Sequence, residues 1–112
     1  MAQNIAEFRI IGRIGKIDTN DKVTFIDVAA NYNRQRDGEW VTETLWNRIT
    51  CFARTAERAN NAGTGDLVHI TGRIGQNSYE KDGARHYTVE LIADSFSVLA
   101  KPSDASDDQA GD

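Results

Sequence analysis

An all-β fold with one short helix, arranged as a five-stranded Greek-key barrel of the OB type, is what the sequence predicts, on three observations. Apolar and polar residues alternate with period two along most of the chain. Asp37-Gly38 and Asp82-Gly83 sit where two hairpins would turn, and one alanine-rich stretch interrupts the strands after the third. The order strand-strand-strand-helix-strand-strand is that of the OB barrel, although periodicity alone also allows a β-sandwich.

The elements follow in order. Over residues 5–14, Ala6, Phe8, Ile10, Gly12 and Ile14 share one parity and Glu7, Arg9 and Arg13 the other, with Gly12 permitting a bend or close approach. Asp18-Thr19-Asn20-Asp21 is a turn cluster. Residues 22–30 form a second strand with Ile26 and Val28 inward and Asp27 outward. Residues 33–41 carry a hairpin, and a third strand follows at 42–52. Residues 53–62 have one β-branched residue, Thr55, and several alanines, which predicts about two turns of helix ending near Asn60, Asn61 and Gly63. The fourth strand, 66–75, points Val68, Ile70 and Ile74 inward and His69, Thr71 and Arg73 outward. A second hairpin over 76–86 leads to the last strand, 86–99.

The chain has 112 residues, which predicts one domain over 1–100 and a disordered acidic tail over 101–112. Apolar residues are 39% and charged residues 27%, a globular balance, and no apolar run approaches the ~20 residues of a membrane span. The start, Met1-Ala2-Gln3-Asn4, shows no signal-peptide pattern. Cys51 is the only cysteine, so an intrachain disulfide and a cysteine-based zinc site are excluded. A cytoplasmic protein is expected. The net charge is −4; one Lys and four Asp give residues 101–112 a net of −3, leaving 12 basic and 13 acidic residues, a net of −1, in the body. Only the local placement of arginine can therefore speak for a polyanionic partner.

The third strand is the most informative. Leu45, Asn47, Ile49 and Cys51 share one parity; Trp46, Arg48, Thr50 and Phe52 share the other. With Ile49 and Cys51 inward, a Trp, an Arg and a Phe stand on the outer face. Flat rings interleaved with a guanidinium can stack on bases and hold the phosphates between them. The same rings would also serve as barrel core or as cover for an interface between subunits. Tyr32, Arg34, Arg36 and Trp40 on the first hairpin, and Tyr79, Lys81 and Arg85 on the second, could line the same groove.

Catalysis finds no support. His69 and His86 lie far apart without metal-ligand spacing and read as ordinary strand residues; Cys51 reads as a small buried hydrophobe. Asp27, Glu43, Glu90 and Asp94 have no motif spacing, and Gly12, Gly15, Gly72 and Gly75 form no phosphate loop before a helix. No enzyme, cofactor or metal is expected.

In order and spacing, several short patterns together resemble the bacterial single-stranded DNA-binding protein family over about residues 3–100. They are Ile10-Ile11-Gly12-Arg13-Ile14-Gly15; Trp46-Asn47-Arg48-Ile49 through Phe52; Ala56-Glu57; Gly65-Asp66-Leu67-Val68 through Gly72-Arg73-Ile74; and Ala93-Asp94-Ser95 with Leu99. Tyr79 falls where the family often has an aromatic. The resemblance implies an OB-fold oligomer, usually a homotetramer, that binds single-stranded DNA without sequence preference in replication, recombination or repair. By position, Trp46, Phe52 and Tyr79 would stack on bases and Arg48 would contact phosphate. Arg9, Arg13, Arg73, Arg34, Arg36, Lys81 and Arg85 would follow the backbone.

This chain departs from the family in a shorter turn at 15–22, in Glu7, and in the absence of basic residues at Gly75-Gln76-Asn77-Ser78. Either Tyr32 or Trp40 would supply the third stacking ring. The chain ends at Gly111-Asp112 without the aromatic-ended acidic tip through which the family recruits partner proteins, so the resemblance does not extend to that recruitment. An RNA-binding OB domain and an oligomeric protein-interaction barrel are the alternatives.

Overall fold

In the computed structural model, residues 4–102 are described; residues 103–112 of the expected acidic tail lie outside them. Among the described residues the elements are β1 (Glu7–Asn20), β2 (Val23–Arg36), β3 (Glu39–Phe52), α1 (Ala53–Asn60), β4 (Leu67–Lys81) and β5 (Ala84–Ala100). The strands close into a barrel in the order β1-β2-β3-β5-β4. Every pairing is antiparallel except β3 with β5, which meet in parallel at Thr50 and Ile92. That parallel closure is the OB-barrel topology the sequence predicted.

The inward parity fills the barrel. Ile14, Ile26, Val28, Ile49, Cys51, Val68, Ile70 and Phe96 form the core, and Ala56 and Ala59 of α1 plug one end. Burying each branched side chain contributes roughly 1.5–3 kcal/mol relative to exposure. Gly12 makes the close approach expected of it, because a β-carbon there would collide with the Ala29 carbonyl oxygen. The helix is held at both ends. The Thr55 hydroxyl donates to the Phe52 carbonyl at 2.9 Å and accepts from the Phe52 N–H at 3.2 Å. At the other end, Thr19 and Thr24 both donate to Asn60 Oδ1 at 2.8 Å.

The strands are longer than the sequence reading allowed. Asp18, Thr19 and Asn20 were expected in a turn, but they pair with Phe25, Thr24 and Val23, which leaves only Asp21 and Lys22 to turn. The hairpins expected over 33–41 and 76–86 are two-stranded arms, paired without interruption to Arg36↔Glu39 and Lys81↔Ala84. Two-residue turns allow this: Asp37, Gly38, Asp82 and Gly83 all have positive φ, the type I′ geometry that matches strand twist. Ile74, expected inward, is 40% exposed, because it sits at the barrel's rim, one residue past the last β1–β4 pair, Glu7↔Arg73.

Candidate nucleic-acid interface

The outer face of β1, β2 and β3 carries the third-strand residues as their parity predicted. Ile49 and Cys51 are fully buried, while Trp46 is 61% and Phe52 47% exposed. Burial pushes the Cys51 thiol up to about 11, so it is no nucleophile at neutral pH. Across β2, Trp46 pairs with Ala29, Arg48 with Asp27, Thr50 with Phe25 and Phe52 with Val23. The ring of Trp46 lies against Gly15 of β1, at the bulge between Ile14 and Lys16. Phe52 is positioned by its reciprocal bonds with Thr55, and beside it opens a depression of about 530 Å³ lined by Asp21, Lys22, Thr24, Ala56 and Glu57.

Arg48 stands between the two rings with its charge shared. Its guanidinium is 3.5 Å from Asp18 Oδ2 and 3.5 Å from Asp27 Oδ1, and its Cζ lies 4.7 Å from the centre of the Phe25 ring. Phe25 is a member of this face that the sequence reading missed. The signal was present: Ile26 and Val28 point inward, so Phe25 shares the outward parity of Asp27.

Unbroken pairing extends these faces along the β2–β3 arm. Trp40 pairs with Gln35 and shares its face with Trp46, and it is 71% exposed. Tyr32, Arg34 and Arg36 lie on the opposite face, where Arg34 pairs with Glu43 at 2.7 Å. Between Trp40 and Trp46, Thr42 donates to Asn33 at 3.0 Å and Thr44 to Asn31 at 2.7 Å.

The β4–β5 arm divides likewise. Arg73, Tyr79 and Lys81 share one face, where the Tyr79 ring stacks on His86 with centroids 5.3 Å apart and 23° between planes. Arg85 lies on the other face and donates to Ser78 and Glu80 at 3.0 and 3.2 Å. Arg13 turns away from the strand face toward the α1–β4 loop, donating to the Gly65 carbonyl at 3.0 Å. Thus the structure brings Trp46, Arg48, Phe52 and Trp40 onto one continuous surface. It sets Tyr32, Arg34, Arg36 and Arg85 on the reverse faces of the arms.

The four carboxylates weighed as a metal site are dispersed: Asp27 faces Arg48, Glu43 faces Arg34, Asp94 accepts from Thr71 at 2.9 Å, and Glu90 lies opposite Gly75 on β4. Among the described residues no group of three or more His, Cys, Asp or Glu could hold a metal ion.

Comparisons with known proteins bear on the fold and the family. Single-stranded DNA-binding protein 2 of Streptococcus agalactiae is 34% identical over 90 residues, covering 75% of this chain and 64% of that protein. A single-stranded DNA-binding protein of Neisseria meningitidis is 29% identical over 99 residues, covering 80% and 57%. The chain therefore spans less than two thirds of the length of these relatives. Among solved structures, the single-stranded DNA binding protein from Thermus aquaticus superposes with a TM-score of 0.73 at 20% identity, over 88% of this chain and 52% of that one. The Plasmodium falciparum SSB in complex with ssDNA gives 0.69 at 20% identity, over 89% and 97%. At such identities these two establish the fold. The model of the single-strand binding protein family matches residues 5–99, nearly the whole barrel with both arms, and the chain belongs to that family.

Proposed function

We propose that this chain binds single-stranded DNA without reading its sequence, through the outer face of β1–β3 and the arm that extends it. The observation that carries the reading is the row of Trp46, Arg48 and Phe52, exposed on one strand with Trp40 in line on the same face. Each base has a π-face, so each ring can contribute about 1–3 kcal/mol whatever the base. Arg48 would hold the phosphate between Trp46 and Phe52. Tyr79 with Arg73 and Lys81 offers a second patch of the same kind on the β4–β5 arm. Duplex DNA keeps its bases stacked inside and would forfeit the aromatic contribution.

The chain would act as a homo-oligomer, a tetramer by family resemblance, in the cytoplasm, serving replication, recombination or repair. Ile11, exposed on the outer side of β1 and paired with His69 of β4, is an apolar residue that a second copy of the chain would cover. The test is tryptophan fluorescence during titration with oligo(dT) at low and high salt, with duplex DNA as control. Strong quenching by the single strand alone, weakened by salt, is expected. Absence of both quenching and binding would assign Trp46 and Phe52 to an interface between proteins.

A further inference from the structure

The strip of β2–β3 arm between Trp40 and Trp46 is about 20 Å long, six residues of strand. A single strand stacked on both indoles must cross it. Its phosphates then pass over Asn31, Asn33, Gln35, Thr42 and Thr44, none of them charged. The charged residues of this arm, Arg34, Arg36, Glu39 and Glu43, all have the opposite parity. Something other than a cation must therefore hold the backbone along this stretch.

Two rungs fit the task. Asn31 lies opposite Thr44 and Asn33 opposite Thr42, and in each rung the Thr hydroxyl donates to the Asn Oδ1, at 2.7 and 3.0 Å. Each bond occupies the oxygen that would repel a phosphate. It also fixes the side-chain amide, leaving Nδ2 as an exposed donor with no partner among the described residues. The rungs are two residues apart, about 6.8 Å along the strand, so they can engage successive parts of one backbone.

We propose that Asn31 and Asn33 are neutral phosphate-binding residues, held ready by Thr44 and Thr42, that carry the DNA backbone between the two tryptophans. This rests on the single-strand binding reading above and adds residues that charge and aromaticity alone would not select. A neutral donor displaces no charge from the DNA's counterion atmosphere, so its contribution should be independent of salt, unlike that of Arg48.

The test compares wild type, the double variant Asn31→Ala/Asn33→Ala and the double variant Thr42→Val/Thr44→Val, using tryptophan quenching by oligo(dT) and oligo(dA) at several salt concentrations. The asparagine variant is expected to bind roughly tenfold more weakly at every salt concentration. Its log–log salt slope should match wild type, and its loss should be equal for the two oligomers. The threonine variant, which keeps the amides, should lose less than about threefold. An asparagine variant that binds like wild type would overturn the proposal. So would a loss confined to one oligomer, which would mean base-edge contact, or an equal loss in the threonine variant, which would mean the rungs only stiffen the arm. Failure of wild type to bind either oligomer would instead remove the single-strand reading itself.

Discussion

The ring of Trp46 occupies the space that a β-carbon on Gly15 would need; such a carbon would lie 2.6 Å from Cη2. Gly15 is the extra residue of the β1 bulge, between the pairs Ile14↔Val28 and Lys16↔Asp27. The bulge and the missing side chain together seat the indole across the sheet, with one surface left for a base. Gly15→Ala should lift the ring, shift the intrinsic emission and weaken oligo(dT) binding several-fold. Trp46→Ala should cost the full stacking contribution, about 1–3 kcal/mol. Wild-type emission and affinity in Gly15→Ala would show that the seat does not matter.

Trp40 and Tyr32 were equal candidates for the third stacking ring, and the arm's register separates them. Trp40 lies in line with Trp46, whereas Tyr32 shares the reverse face with Arg34 and Arg36. Trp40→Ala should therefore weaken single-strand binding by about 1–3 kcal/mol, and Tyr32→Ala by no more than a few tenths. Fluorescence anisotropy with a labelled oligo(dT), which does not depend on the tryptophans, measures both. Equal losses would mean that the strand wraps the arm and uses both faces.

Cys51 gives a pH prediction for stability. It is fully buried at the base of β3, and desolvation raises its thiol from 9.0 to about 11, partly offset by a hydrogen bond to Thr55. The unfolded chain releases this proton near 9.0 and the folded chain holds it until about 11. Its contribution is therefore complete below pH 9 and is lost as pH rises from 9 to 11, up to about 2–3 kcal/mol. Denaturant unfolding at pH 8 and pH 10.5 should show a smaller loss in Cys51→Ala than in wild type. Identical pH dependence in the two proteins would rule this out.

The barrel and the outward placement of the central candidate residues were legible because both depend on a period of two. Ile49 and Cys51 fix the inside of β3, and Trp46, Arg48 and Phe52 must then face out. Phe25 was legible by the same rule through Ile26 and Val28, and only its separation from the other rings in sequence hid it. The arms were not legible. Deciding between Trp40 and Tyr32 needs a register with no slip from Val23↔Phe52 to Arg36↔Glu39, because one bulge in either strand would move one of the two rings to the other face. Such a bulge does occur at Gly15; a strand glycine permits one, but the sequence does not say which of Gly12 and Gly15 carries it. Ile74 failed for a related reason: parity says which way a side chain points, but not where the strand leaves the barrel.

Arg48, the proposed phosphate contact, is the residue whose electrostatics would most directly set affinity. Asp18 and Asp27 stand on its own outward face, each 3.5 Å from the guanidinium, and the Phe25 ring lies beneath it. Half-exposed pairs at this distance contribute only about 0–1 kcal/mol to stability, so they hold the arginine in place without adding much to the fold. In the proposed binding mode they would also compete with a phosphate for the same charge. Asp27→Asn should leave the unfolding midpoint nearly unchanged while tightening oligo(dT) binding about two- to fivefold at low salt. The salt slope should steepen by up to about 0.7, since one more full cation becomes available to the strand. Arg48→Ala should do the reverse, lowering affinity and flattening the slope by a similar amount. If Asp27→Asn instead weakened binding, the carboxylate would be orienting Arg48 toward the phosphate rather than competing with it, and the Arg48–Asp27 pair would belong to the binding surface as a unit.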